Sequence, residues 1–543
     1  MVVGVSMKLG VVVWVEGTTV KFRINEQAVV ERGQLVKVVD KGRKFILRVY
    51  DFRPESLLSQ AEIAIVSKKI QEGEPTPIYD KSLRLYDTAL ATIICQISEE
   101  GIVHGPTGVP SLFTDVETLD KIDLEHLNLD TGDIVLGYVR VGHRTADIRV
   151  TINGSKVIPH HILVCGVTGS GKSNLGKVLA ASIMAIPEPR YSMIIFDCES
   201  EYFSGASHDH YGLVHLPEAE ERLFYVTTGI DEPCKITYEF YFQGETVERK
   251  ILAYPLKVCY SELTPRDFSM TGEFSSPQEE LLWLLYKRYR EDWLEKLLDL
   301  TAREIYEKLG KLAKTNTINV TKRKVKHMLG DGDIFIAEDC PEVGLSKAVL
   351  AAIRHGKIIL IDIPHATEGE EKLLSVMITR KIFRTYELMR KTAPDRWAKL
   401  PYVLIMVEEA HRYLAKHSLM GGEVRENIFS IISKRGRKYK VGALYITQMP
   451  GEIAETVIRQ TLTKIILPLP TRPDYTKVIQ YSPYLDEAEQ EIKTLDRGDA
   501  LIVSPPSGLR FAVPAKVFSF EKYVEERLRE KMELDRLQSI TYG

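Results

Sequence analysis

Eight residues, Gly166-Val167-Thr168-Gly169-Ser170-Gly171-Lys172-Ser173, have the types and spacing that hold a polyphosphate. Glycines let consecutive backbone N–H groups turn inward around phosphate oxygens, Lys172 reaches the β and γ oxygens, and the Ser173 hydroxyl ligates Mg²⁺. Asn174 follows at once and opens a helical segment, Asn174 to Ala185, whose positive end adds to the cradle. The apolar run Ile162 to Cys165 stands directly before the loop, so the order is strand, loop, helix. Outside that context the same string would be a glycine-rich surface turn.

A second constellation is Val403 to His411, VLIMVEEAH, an apolar run ending in two carboxylates. Glu408 would enter the Mg²⁺ shell and Glu409 would polarise an attacking water; taken alone, the pair reads equally well as solvated charges at a strand end. Gln448 closes the next apolar run, GALYITQ, where a polar side chain facing the γ-phosphate sits, or where a strand simply ends. Between them, SKRGRKYKVG packs Lys434, Arg435, Arg437, Lys438 and Lys440 into seven positions. Such a run is a solvated face, a source of an arginine for a neighbouring subunit's site, or a contact for nucleic-acid phosphates.

The elements that position these residues are apolar strands alternating with helices. SMIIFDCESEY ends a strand at Asp197, and the α/β rhythm then stops for more than a hundred residues. It resumes with KIILIDIP, the helix Glu371 to Met389, PYVLIMVEEAH, a helix near Glu426 to Ser433, GALYITQ and TKIILPL. Such strands belong to a mostly parallel sheet covered by helices on both faces. In the interruption, Ser276 as N-cap, Pro277 and Glu279 read as a capping-box start. Leu281, Leu285, Tyr289, Trp293 and Leu297 then recur every fourth residue as one packing stripe. The first hundred residues alternate apolar and polar at period two, as in GVVVWVEGTTVKFRI, and predict a small β-barrel. SFEKYVEERLREKMELDRLQ carries Phe520, Val524, Leu528 and Met532 on one face of a charged helix, which we expect to dock on a neighbouring subunit.

The chain has 543 residues, 44% hydrophobic and 27% charged, with a formal net charge of -3. That describes a globular chain of about three domains and excludes a general polyanion-binding surface, so any nucleic-acid contact must be local. No apolar run nears the roughly 20 residues of a membrane span and no signal peptide is read, so a cytoplasmic location and no membrane partner are expected. Cys95, Cys165, Cys198, Cys234, Cys259 and Cys340 are scattered, without zinc spacing, and are expected to be core fillers or inert thiols.

In combination GVTGSGKSN, FDCESEY, VEEAHRYL, SKRGRKYKVGALYITQMP, LTKIILPL and LDRGDALIV resemble the HerA hexameric ATPases, DNA translocases of the HerA/FtsK branch of P-loop proteins. The resemblance implies an α/β fold: a RecA-like P-loop core, an N-terminal barrel over 1–100, a linker over 101–135 and core segments over 136–205 and 346–518. A largely helical insertion spans 206–345 and a C-terminal helix 519–543. It also implies a homohexamer, with ATP and Mg²⁺ bound between subunits by Gly166, Val167, Thr168, Gly169, Ser170, Gly171, Lys172, Ser173 and Asn174. Ser173 and Glu408 would serve the metal. Lys172, Glu409 and Gln448 would serve catalysis, with Arg437 as a finger supplied in trans. Double-stranded DNA would occupy the central channel, and a NurA-like nuclease would be the partner in DNA-end processing and repair. Two departures, Cys198-Glu199-Ser200 for the family's usual x-His-Gly and His160 before the P-loop strand, mark a divergent paralogue, as does an extra segment near 224–249. The alternatives are a ring that remodels or anchors protein partners, and a nucleotide-gated scaffold without turnover.

Overall fold

The computed structural model describes residues 6–74, 78–207, 210–310, 312–415 and 427–542. The chain forms two compact units. One comprises Met1–Gly132, Gly137–Ile152 and Ile466–Val517; the other comprises Asp133–Leu136, Asn153–Ile465 and Phe518–Gly543.

In the first unit, Lys8–Glu16, Thr19–Ile24, Leu35–Asp40, Arg43–Ser56 and Leu85–Ile97 form the barrel. Thr19–Ile24 pairs with both Lys8–Glu16 and Leu85–Ile97, which closes the sheet and removes its edges. Every second residue turns inward, so Val20, Phe22, Val36, Val38, Phe45 and Leu47 fill the interior. The sixth strand is Asp115–Thr118, wedged between Lys8–Glu16 and Leu35–Asp40. The stretch expected as a linker over 101–135 therefore completes the barrel. Its polar composition hid a strand of four residues, too short for a period-two signal.

The second unit is built on a sheet whose central strands are buried and whose outer hairpin, Cys234–Phe242 with Glu245–Pro255, is largely exposed. Its order is Cys234–Phe242, Glu245–Pro255, Leu223–Thr227, Ile358–Asp362, Tyr191–Asp197, Tyr402–Val407, Val441–Thr447, Ile162–Cys165 and Thr463–Ile466. From Glu245–Pro255 to Ile162–Cys165 the neighbours are parallel. The strands Ile162–Cys165, Val441–Thr447 and Tyr191–Asp197 are buried along their whole length, which is why they read as unbroken apolar runs. Three strands from the interruption, including both arms of the hairpin over the extra segment, thus extend the main sheet. The segments Gly137–Ile152 and Ile466–Val517, expected within the ATPase core, instead cluster with the barrel.

The second half of the interruption is helical, with two local differences. The N-cap is Ser275, whose box partner is Gln278 and not Glu279; Pro277 occupies the first turn either way. The apolar stripe is carried by two helices, Ser276–Tyr289 and Trp293–Asp299, because a 3-10 turn at Arg290–Asp292 breaks the register. Cys259 and Cys340 form a disulfide, contrary to the expected free thiols. The parallel pairing of Val258–Cys259 with Phe335–Ile336 brings their chain segments side by side.

The helix expected to start near Glu426 is Ile428–Arg435, capped by Asn427; Glu426 itself lies outside the described residues. The C-terminal helix Phe520–Tyr542 docks on its own chain and not, over these turns, on a neighbour. Phe520, Val524 and Leu528 are buried, Arg527 pairs with Glu218, and the Glu521 carboxylate accepts the Tyr211 N–H.

Candidate nucleotide site

Parallel register gathers the predicted site at one edge of the sheet. Cys165 lies beside Thr447 and Val407 beside Tyr445, so Gly166, Gln448 and Glu408 leave the ends of three neighbouring strands together. Ligands collect at such carboxyl ends in open α/β sheets.

The loop Gly166 to Gly171 turns through two left-handed residues, Gly169 at φ +78° and Gly171 at +105°. Neither position meets any atom within 4 Å of where a Cβ would stand, so the concavity is open. Lys172 begins a helix, Lys172–Met184, whose N-cap Gly171 supplies no side-chain hydrogen bond. Its first N–H groups are thereby left for an anion. The Lys172 ammonium reaches back over the loop and donates to the Val167 carbonyl at 3.0 Å. Burial lowers its pKa, against the pull of the Glu409 and Glu408 carboxylates. Thr168 donates its hydroxyl to Gln448 Oε1 at 2.6 Å, tying the loop to the adjacent strand.

Across from the loop, Glu409 holds φ +43°, a left-handed conformation that costs a non-glycine residue of order 1 kcal/mol or more. Its Oε2 is buried and makes no hydrogen bond among the described residues, although His411 Nδ1 stands 3.2 Å away in a poor geometry. Glu408 Oε1 accepts the Tyr202 hydroxyl at 2.8 Å. Burial pushes Glu408 up to about 7, the Tyr202 bond opposing it and the carboxylates of Asp197, Glu201 and Glu409 adding to it. An open phosphate cradle facing the half-buried Glu408 and Glu409, with Glu409 Oε2 unsatisfied among the described residues, fits an ATP·Mg²⁺ pair. Among the described residues no group of three or more His, Cys, Asp or Glu can hold a metal by itself. Ser173 and Glu408 would hold Mg²⁺ only together with phosphate oxygens, the usual habit of that ion.

Some expected residues sit elsewhere. The Asn174 amide is committed to the C-terminal helix: it donates to the Phe518 carbonyl and accepts the Phe520 N–H, both at 2.8 Å. Its side chain is therefore not free to meet a nucleotide. His160 donates through Nδ1 to the Lys156 carbonyl, 2.7 Å away. Arg435 pairs with Glu387 of its own chain at 2.8 Å. Arg437 lies exposed in the turn Gly436–Tyr439, just before the strand that ends at Gln448. At about 3.3 Å per residue, that strand puts roughly 20 Å between Arg437 and the phosphate end of its own subunit.

Sequence reasoning missed what only the fold assembles. Asp197 accepts the N–H groups of Glu201 and Tyr202, at 3.2 and 2.8 Å, and burial raises its pKa to about 6. Lys177 is buried below Tyr202, with its ammonium 5.9 Å from that ring and 5.7 Å from the Phe520 ring. The signal available was FDCESEY, where Asp197, Glu201 and Tyr202 keep the family's residue types.

Residues 134–382 match the family described as "Helicase HerA, central domain". The chain is 25% identical over 478 residues to the "DNA double-strand break repair helicase HerA" of Sulfurisphaera tokodaii, covering 85% of this chain and 82% of that one. It is 23% identical over 540 residues to the protein of the same name from Pyrococcus furiosus, covering 93% and 91%. Among solved structures, a bacterial conjugative coupling protein, TrwB, aligns with a TM-score of 0.45 at 12% identity over 67% of this chain and 85% of that one. No helix among the described residues is long and apolar enough to cross a membrane.

Proposed function

We propose that the chain is a divergent member of the HerA family and a ring-forming, ATP-driven motor that moves double-stranded DNA through a central channel. Its place is DNA-end processing, beside a nuclease of the NurA kind, and its working form is a homohexamer. The observation that carries this reading is the meeting of Lys172, the Glu408–Glu409 pair and Gln448 at three adjacent strand ends.

Each group then has a task. The backbone N–H groups of the loop and of the first helical turn bind the phosphates, and Lys172 exchanges the Val167 carbonyl for phosphate oxygens. Glu409, held near the cradle with an unsatisfied oxygen, orients the attacking water and accepts its proton. Gln448, positioned by Thr168, faces the γ-phosphate. Ser173 and Glu408 would hold Mg²⁺, which would supply charge neutralisation for the phosphates. Arg437 stands in the turn before the strand Val441–Thr447, at the end away from its own cradle, and is exposed for a neighbour's site.

The decisive measurement is ATP turnover with and without duplex DNA, alongside the assembly mass. A DNA motor accelerates on duplex and has the mass of a hexamer. Acceleration by a protein partner alone would instead mark a protein remodeller, and nucleotide binding without turnover a scaffold. Contacts made mainly to phosphates should also weaken steeply with salt and depend little on sequence. A flat salt response overturns the DNA reading.

A further inference from the structure

Tyr202 and the P-loop helix make an arrangement that the assignment of ATP-site residues does not use. Tyr202 is 1% exposed, and its hydroxyl reaches Glu408 across the flank of the helix Lys172–Met184. The crossing occurs at Gly176, one turn after Lys172. A Cβ built on Gly176 would stand 2.7 Å from the Tyr202 oxygen and 3.4 Å from both Met406 Cε and the Tyr202 ring carbon Cε1. A glycine inside a helix costs about 1 kcal/mol relative to alanine. Here it leaves room for the hydroxyl beside the helix and Met406 of the strand Tyr402–Val407.

The segment that delivers Tyr202 is fixed from three sides. Asp197 takes the N–H groups of Glu201 and Tyr202. Ser200, at φ +53°, is held in its left-handed turn by a 2.7 Å hydrogen bond from its hydroxyl to Asp362 Oδ1. Asp362 is paired in register with Asp197 on the adjacent strand. Below, the Lys177 ammonium lies beneath the Tyr202 ring. Among the described residues, the hydrogen bond of this phenol goes to Glu408.

We propose that Tyr202 is a positioning residue for the metal-facing carboxylate: its hydroxyl, passed over Gly176, fixes the rotamer of Glu408 by occupying Oε1 and leaves the other oxygen for Mg²⁺. The inference deepens the ATPase reading and rests on it. Partners one shell out from a metal ligand are typically worth about 10- to 100-fold in metal affinity or activity.

The test measures binding of a non-hydrolysable ATP analogue calorimetrically, with Mg²⁺ and with EDTA, in wild type, Tyr202→Phe, Gly176→Ala and the double variant, together with melting temperatures. Tyr202→Phe removes one oxygen and keeps the ring. It should leave affinity in EDTA unchanged, weaken the Mg²⁺-dependent gain about 10- to 100-fold, and lower kcat with little change in KM. Gly176→Ala should lower the melting temperature, and Tyr202→Phe in the same chain should restore it, since the closest remaining contacts are ordinary van der Waals distances. Mg²⁺ dependence should stay impaired in the double variant. A Tyr202→Phe protein with wild-type Mg²⁺ dependence overturns the positioning role. A Gly176→Ala protein as stable as wild type overturns the close passage. Wild type that gains nothing from Mg²⁺ removes the ATPase reading and this inference with it.

Discussion

Lys172 and Glu409 share one site but act on different atoms, so their loss should look different. Lys172→Ala removes a charged donor to phosphate and should weaken ATP binding about 10- to 100-fold. Glu409→Gln keeps the shape and loses the base; it should bind ATP normally and accumulate the uncleaved complex, which single-turnover measurements distinguish from weak binding. Equal turnover in wild type and Glu409→Gln would remove Glu409 as the base. The P-loop was legible in the sequence because its chemistry is local: eight consecutive residues make the cradle. Tyr202, Asp197 and Lys177 were not, because their roles depend on strands and helices that meet only after folding. Lys464 is a further case. It is 1% exposed on Thr463–Ile466, donates to the Thr461 carbonyl, and burial lowers its pKa to about 8. Between about 8 and the ordinary value of 10.5 the unfolded chain binds a proton that the folded chain has released, so stability rises with pH across that window. Chemical denaturation at pH 7, 9 and 10.5 should show this rise in wild type and a smaller one in Lys464→Met.

The strands and helices show how far pattern carries. Long apolar strands and the Glu368–Thr392 helix were readable because each is buried along a continuous face. The Asp115–Thr118 strand was invisible, and the hairpin Cys234–Phe242 with Glu245–Pro255 gave no sign that it extends the main sheet, because pairing partners are not written in local periodicity. The C-terminal helix had a correct stripe and the wrong partner. Periodicity tells which face is buried and not against what. Since Phe520 is fully buried beside Lys177 and its N–H is held by Asn174, Phe520→Ala should destabilise this unit by about 3–5 kcal/mol. Glu491, on the helix Glu489–Thr494, offers a second element-scale test. It is 3% exposed and faces two buried arginines, Arg48 at 3.8 Å and Arg140 at hydrogen-bond distance. Glu491→Ala removes the carboxylate facing Arg48 and leaves Arg140 only Asp499 at 3.8 Å and the Gly142 carbonyl, and should cost about 3–5 kcal/mol. Replacing it with Gln keeps one acceptor and should cost less. Equal melting temperatures for both variants and wild type would show that the cluster is not holding its unit.

At the scale of the whole molecule, the question is whether one chain contains a complete site. Under the ring reading proposed above, Arg437 would complete a neighbour's site and not its own. The basic run was legible as a run, yet three readings of it stood open, because exposure and distance are properties of the fold. The fold separates its members: Arg435 is engaged with Glu387, Lys440 donates to the Ala398 and Leu400 carbonyls, and Arg437 points to solvent at the strand end far from its own cradle. An arginine brought by another subunit to the spread charge of a phosphoryl-transfer transition state is worth about 10³ to 10⁵ in rate and little in ATP affinity. Arg437→Ala should therefore assemble and bind ATP but hydrolyse almost none, as Glu409→Gln does. Mixing the two inactive proteins before assembly creates interfaces where an intact Glu409 meets an intact Arg437, and such rings should regain measurable turnover. Native mass spectrometry on differently tagged chains would establish that mixed rings had formed. Active Arg437→Ala rings would return that residue to solvent or to DNA contact. Inactivity of both variants, with no rescue in proven mixed rings, would remove the trans assignment, because a finger supplied by the neighbour must complement a base supplied by the host.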